Sequence, residues 1–151
     1  MGYNLFLDDF RIPQDAYRVN HDPRYNLLTW TMVKSYDEFV KVVETLGLPD
    51  LVAFDHDLAD EHYEKYQGPI SEKQYSEMQE KTGYHAARFL INWCIDRDLD
   101  IPEYLIHTQN HGGGLNIKSV MESGKKILKL TREAKERGET LPTLPDYTKE
   151  Q

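Results

Sequence analysis

The sequence predicts a three-layer α/β fold: a mostly parallel sheet of about four strands in the order 2-1-3-4, with helices on both faces. Three observations carry this expectation. Short apolar runs recur at Tyr3–Leu7, Leu27–Val33, Asp50–Phe54 and Tyr104–Ile106, as strands buried on both faces would read. Segments with apolar residues three and four apart alternate with them. Three of the runs stop abruptly at polar residues: Asp8-Asp9, Asp55-His56-Asp57 and His107-Thr108-Gln109-Asn110.

Taken in order, Tyr3–Leu7 reads as a buried strand ending at two acids. Pro13 argues against a helix starting there, so the polar residues 14–26 read as loop. Leu27–Val33 is the second strand. Residues 36, 39, 40, 43 and 46 are apolar at helical spacing, with Ser35 as N-cap and Glu38 completing a capping box. Gly47 and Pro49 end that helix. Asp50–Phe54 is the third strand. Residues 59–82 are polar and weakly periodic, and read as an insertion or mobile lid. Tyr84–Asp96 reads as a helix burying Ala87, Leu90, Ile91 and Cys94, and Tyr104–Ile106 as the fourth strand. His111-Gly112-Gly113-Gly114 reads as a flexible turn before a helix from Leu115 to about Arg137, with a kink expected at Gly124. Trp30 and Trp93 are expected in the core. Residues 1–138 thus form one domain, and 139–151, with Pro142 and Pro145, an extended or mobile tail.

At 151 residues the chain suits a single domain, long enough to bury about 70% of its unfolded surface. Apolar residues make up 39% and charged residues 29%, with a mean hydropathy of −0.70. No apolar run approaches the length that spans a bilayer, and no signal-peptide pattern opens the chain. A single cysteine, Cys94, excludes an internal disulfide and a multi-cysteine zinc site, and the expected compartment is the cytoplasm. The net charge of −8 argues against non-specific binding to duplex DNA, which is driven by counterion release to a basic surface. A local excess of base runs from Lys118 to Arg137, where seven basic residues face three acids. It reads as a solvated helix face.

The chemistry is expected where the strands end. The flavodoxin-like order 2-1-3-4 places the first and third strands side by side at the switch point, about 4.8 Å apart. Asp8, Asp9 and Asp55 would then converge. Carboxylates that close repel, so one takes up a proton or a cation sits among them. An all-oxygen cluster suits Mg²⁺, and the nearby His56, His107 and His111 widen the choice to Mn²⁺ or Zn²⁺. Histidine is also a general acid or base near neutral pH. Gly112-Gly113-Gly114 before a helix reads equally as a phosphate cradle on backbone N–H groups or as a plain loop.

These residues also carry a resemblance. Asp8-Asp9-Phe10-Arg11-Ile12-Pro13 forms a D-D-x-R-x-P opening and Phe54–Leu58 an F-D-H-D-L segment. Thr82-Gly83-Tyr84, Ile106–Asn110 and Asn116 complete the set. Together, over about residues 3–122, they resemble the cyclic-phosphate processing receiver-like domains of bacteria and phages. More broadly the chain resembles response-regulator receivers, which implies a flavodoxin/receiver-like fold. In those domains an acidic pair after the first strand binds Mg²⁺ and an aspartate after the third accepts a phosphoryl group. Asp8, Asp9 and Asp55 match those positions, and Thr108 matches the hydroxyl residue after the fourth strand. A fifth strand ending in Lys-Pro is missing, since Lys118, Lys125 and Lys126 fall on a helix.

The function expected from residues and resemblance together is that of a metal-dependent phosphoesterase, acting on a cyclic phosphate of a nucleotide or an RNA end. Asp8, Asp9, Asp55 and Asp57 would hold the metal. Asp55, His56 and His107 would carry the catalysis, the histidines exchanging protons with the nucleophile or leaving oxygen. Arg11, Asn110, His111, Gly113 and Asn116 would bind the substrate, and Tyr63, Tyr66 and Tyr75 of the lid would close over a base. The rival readings are a signalling receiver phosphorylated on Asp55 and a non-catalytic module that binds a nucleotide or protein. The missing lysine disfavours the first rival, and the added histidines disfavour the second. Expected partners are a phosphorylated small molecule or a nucleic-acid end, and no membrane.

Overall fold

A computed structural model describes residues 2–58, 71–77 and 81–138. Strand β1 (Asn4–Leu7) lies between β2 (Thr31–Val33) and β3 (Leu51–Phe54), and β4 (Glu103–Ile106) extends the sheet beyond β3. Every pairing is parallel, and the order β2-β1-β3-β4 is the one expected from the sequence. Leu7 lies opposite Phe54, and Phe54 opposite Ile106. The next residues, Asp8, Asp55 and His107, therefore leave the sheet side by side. Their level is held by two further ladder bonds, Asp55 N–H to the Leu7 carbonyl and His107 N–H to the Phe54 carbonyl, both 3.0 Å.

The described helices are α1 (Pro13–Asn20), α2 (Arg24–Leu27), α3 (Tyr36–Leu46), α4 (Glu72–Glu77), α5 (Gly83–Arg97) and α6 (His111–Glu136). Side chains alternate across a strand, which sorts the sheet into two cores. Leu5, Leu7, Val52 and Phe54 pack with Phe39 and Val43 of α3, Leu90 and Ile91 of α5, and Ile117 and Met121 of α6. Phe6, Leu51, Ala53 and Leu105 pack with Ala16 of α1 and Tyr25 of α2. Each of these fully buried aromatic or branched side chains contributes roughly 1.5–3 kcal/mol relative to exposure. The connection from β1 to β2 thus covers one face, and those from β2 to β3 and β3 to β4 cover the other. The reversal between β1 and β3 opens a crevice at their carboxyl ends. Among the described residues no helix is long and apolar enough to cross a membrane.

Several local expectations are corrected. Pro13 begins α1 rather than preventing it: proline at the first helical position loses no hydrogen bond and already has a helical φ. With α2, this makes most of residues 13–27 helical. The second strand is only Thr31–Val33, because Leu27 ends α2 and is 79% exposed. Ser35 caps α3 by accepting from Glu38 N–H at 3.2 Å, but the Glu38 carboxylate reaches Lys34 N–H, 3.3 Å away, rather than the cap residue. Trp30 and Trp93 are half-buried rather than core. Part of the expected lid is helix α4, whose Tyr75 is buried to 1% exposure. Residues 59–70 and 78–80, with Tyr63 and Tyr66, lie outside the described residues, as does the expected tail 139–151.

His111-Gly112-Gly113-Gly114 is the first turn of α6 and no flexible turn. Tertiary packing overrides weak glycine propensity there: a Cβ on Gly113 would fall 2.4 Å from the His56 ring. Gly124 is likewise a contact point, buried against Ile91 of α5, and the helix runs through it. The basic run of α6 lies mostly in solvent, with Arg132 held by Asp98 at 2.8 Å and Asp100 at 2.6 Å.

Candidate functional site

Asp8, Asp9 and Asp55 converge at the crevice, with one carboxylate oxygen from each within 4.8 Å of the others. Asp8 is 3% exposed and Asp55 1%. The two buried acids are treated very differently by their neighbours.

Burial alone would raise the proton affinity of Asp8. Hydrogen bonds outweigh it and hold its carboxyl below the ordinary range. Its Oδ2 accepts from His107 Nε2 at 3.0 Å, and its Oδ1 accepts from the backbone N–H groups of Arg11 at 2.9 Å and Phe10 at 3.0 Å. The side chain thereby pins the turn that follows β1. Asp55 has far less support. Its Oδ1 accepts from His56 N–H at 2.8 Å, while its Oδ2 is buried with no hydrogen-bond partner. Burial first, and then the charge of Asp8, push Asp55 up to about 8, against smaller opposing pulls from Arg11 and from the Thr108 hydroxyl.

Both histidines assigned to proton transfer are enclosed at 0% exposure and committed at each ring nitrogen. His107 stacks on Phe6 and meets the Tyr25 hydroxyl at Nδ1, 3.2 Å away. Burial, stronger than the opposing bond to Asp8, lowers its pKa, so it stays neutral. Nε2–H then donates to Asp8, and Nδ1 accepts from Tyr25. His56 lies 2.7 Å from Asp57 Oδ1 through Nδ1 and 2.7 Å from the Tyr75 hydroxyl through Nε2. A carboxylate only accepts, so Nδ1 carries the proton and Nε2 accepts from Tyr75 O–H. The Tyr75 oxygen accepts in turn from Asn116 Nδ2 at 3.0 Å. The chain Asp57–His56–Tyr75–Asn116 is a polar tie that holds α4 and α6 against the end of β3.

Asp57, expected as a metal ligand, is therefore not in the converging group; it serves His56 and the Nδ2 of Asn110, 3.2 Å away. Asn110, expected to bind substrate, caps α6 by accepting from Gly113 N–H at 2.9 Å. Gly113 is buried under the His56 ring with its N–H used by that cap, which corrects its reading as a phosphate cradle. Asn116 holds Tyr75. His111 lies exposed at the start of α6. Of the residues assigned to substrate, Arg11 reaches the acids: its Nη1 stands 3.7 Å from Asp8 Oδ2 and 3.9 Å from Asp55 Oδ1.

Four contributors were given no site role by the sequence, although Gln109 and Gly83 lie in the motifs named above. Tyr25 sits in a stretch read as loop. Gln109 accepts from Arg11 Nη2 at 3.0 Å. His85 accepts Thr82 N–H through Nδ1 at 2.9 Å, which leaves Nε2–H to donate to the Tyr75 carbonyl at 3.2 Å. Gly83 meets the backbone of Asp55 and His56, with its N–H on the His56 carbonyl at 2.9 Å. The sequence signal for the last was the Thr82-Gly83 pair itself, a cap followed by a residue without a side chain. Tyr75→Phe removes the donor to His56 and an acceptor for Asn116. It is expected to lower stability by about 1–3 kcal/mol, read as an earlier midpoint in urea unfolding.

No curated protein and no solved structure gives a significant match to the chain. The family described as cyclic-phosphate processing receiver domain matches residues 3–123, which contain the whole sheet, all three converging acids and the first half of α6. The geometry and the match agree on a receiver-like α/β fold, the match alone links it to cyclic-phosphate processing, and the chain belongs to the cyclic-phosphate processing receiver domain family.

Proposed function

We propose that this protein is a divalent-cation-dependent phosphoesterase acting on a cyclic phosphate of a nucleotide or an RNA end. The observation that carries the reading is Asp55 Oδ2, a buried oxygen without a donor, inside a group of three converging carboxylates. Such an oxygen calls for a proton or a cation; a proton discharges Asp55 alone, whereas a divalent cation offsets the charge of all three carboxylates together. Three aspartates form a hard donor set that fits Mg²⁺ or Mn²⁺. Zinc is disfavoured, because the buried histidines beside the cluster are committed to Tyr25, Asp8, Asp57 and Tyr75. Bound there, the cation would polarise a phosphoryl oxygen and lower the pKa of a water.

The chain itself contributes position and charge. His107 and the turn at residues 8–11 keep Asp8 ionised and aimed. The tie through His56 and Tyr75 fixes the segment after β3, and Arg11 brings a permanent positive charge to the mouth of the cluster. His56 and His107 act through Asp57 and Asp8 as positioning residues, not as proton carriers at the substrate. A phosphorylated small molecule or a nucleic-acid end is the partner this chemistry recognises. The lone Cys94, buried and unpaired, fits a cytoplasmic setting.

The test is ³¹P NMR of the protein with cyclic nucleotides and cyclic-phosphate RNA ends, in Mg²⁺ and then Mn²⁺, beside Asp55→Asn. New phosphomonoester or diester signals that depend on metal and on Asp55 are expected. A stable phosphoryl adduct on Asp55, formed from acetyl phosphate without ester cleavage, would replace this reading by a signalling receiver.

A further inference from the structure

Arg11 stands where a cation would. Its guanidinium lies 3.7 Å from Asp8 Oδ2 and 3.9 Å from Asp55 Oδ1, and its side chain is 12% exposed. Both contacts are longer than hydrogen bonds. The hydrogen bond its charged end does make goes to Gln109 at the surface, 3.0 Å away. The backbone of the same residue is firmly held, with its N–H 2.9 Å from Asp8 Oδ1. The root of the side chain is anchored while the tip rests loosely on the acids.

We propose that Arg11 is a stored phosphate anchor: its guanidinium neutralises Asp8 and Asp55 until a divalent ion displaces it, and the freed group then grips the anionic oxygens of the substrate phosphate. This rests on the cation-site reading above. A fixed positive charge beside the same oxygens repels an incoming dication, so Arg11 weakens cation binding while phosphate is absent. Once a phosphate arrives, the repulsion turns into a shared attraction, and cation and phosphate bind cooperatively. The planar fork of arginine suits two phosphate oxygens at once, whereas lysine keeps the charge without the fork.

The experiment is a Mn²⁺ titration of the full chain, followed by the EPR signal of the free ion, with and without inorganic phosphate. It compares wild type, Arg11→Gln and Arg11→Lys. Without phosphate, Arg11→Gln is expected to bind Mn²⁺ about tenfold more tightly than wild type. Arg11→Lys is expected to match wild type. Phosphate is expected to tighten Mn²⁺ binding in wild type, less in Arg11→Lys, and not in Arg11→Gln. Equal or weaker Mn²⁺ binding by Arg11→Gln, or a phosphate effect it retains in full, would overturn the exchange and leave the cation site standing. Mn²⁺ bound by none of the three proteins would overturn the cation site as well. Should Arg11→Gln fail to fold, Arg11→Lys decides alone: wild-type affinity with weakened phosphate coupling supports the anchor, and unchanged coupling overturns it.

Discussion

Asp55→Asn is expected to reduce turnover of a cyclic phosphate by at least about 10²–10³-fold while making the metal-free fold more stable at alkaline pH. The two effects have one cause. Unfolded, Asp55 titrates near its ordinary value of 3.8; folded and metal-free, it holds its proton to about 8. Between these values the folded state binds a proton that the unfolded state has released. The stability from this group is therefore complete below about pH 4, declines as pH rises, and is gone above about pH 8. At about 1.4 kcal/mol per tenfold change in proton affinity, the loss is on the order of several kcal/mol. Asparagine has the same shape and no charge to desolvate, so its unfolding curve should lack this decline. Urea unfolding in EDTA at pH 5 and pH 9 checks it: wild type should lose stability between the two, and Asp55→Asn should lose much less. Adding Mg²⁺ should restore wild type at pH 9, because a ligand that binds only the folded state stabilises it.

Gly83→Ala is the second large expectation. A Cβ at this position would lie 1.8 Å from the Asp55 carbonyl oxygen and 3.2 Å from His56 Cα. Backbone cannot rotate away as a side-chain tip can. The first turn of α5 must therefore move off the segment carrying Asp55, breaking the bond from Gly83 N–H to the His56 carbonyl. A destabilisation of about 3 kcal/mol or more is expected, in the upper range for single substitutions, with loss of turnover even where the fold survives. Alanine is ordinarily the better helix former, so a stability equal to or above wild type would show that this close approach does not exist.

Much of the architecture was legible because the strands are short and largely apolar, and acids follow β1 and β3. Leu5–Leu7 and Leu51–Phe54 read as strands buried on both faces, and the polar residues after them marked the functional edge. Pro13 carries two conflicting signals: it restrains the residue before it but is well suited to open a helix. Tyr75 was expected to close over a base and is instead buried beneath His56; one buried aromatic in a six-residue helix leaves no periodicity to detect. The convergence of Asp8, Asp9 and Asp55 was legible from topology alone.

The division of labour among the polar residues was not legible in sequence. His56 and His107 have the composition of proton carriers, and only their surroundings show them closed off on both nitrogens. Asp57 is two residues from Asp55, on the same side of an extended chain, yet the His56 ring draws its carboxylate toward α6. Gly113 and Asn110 looked like a phosphate cradle and a polar contact. Their placement turns them into a packing point and a helix cap, because the His56 ring fills the space directly beneath.

The most direct measurement is a crystal of the protein soaked in Mn²⁺, with the ion located by its anomalous scattering. One strong peak is expected among Asp8, Asp9 and Asp55, in contact with Asp55 Oδ2, with the Arg11 guanidinium moved off both acids and Asp57 still on His56. A map with no peak in that cluster at saturating Mn²⁺, or with Arg11 unmoved and the ion elsewhere, would contradict it.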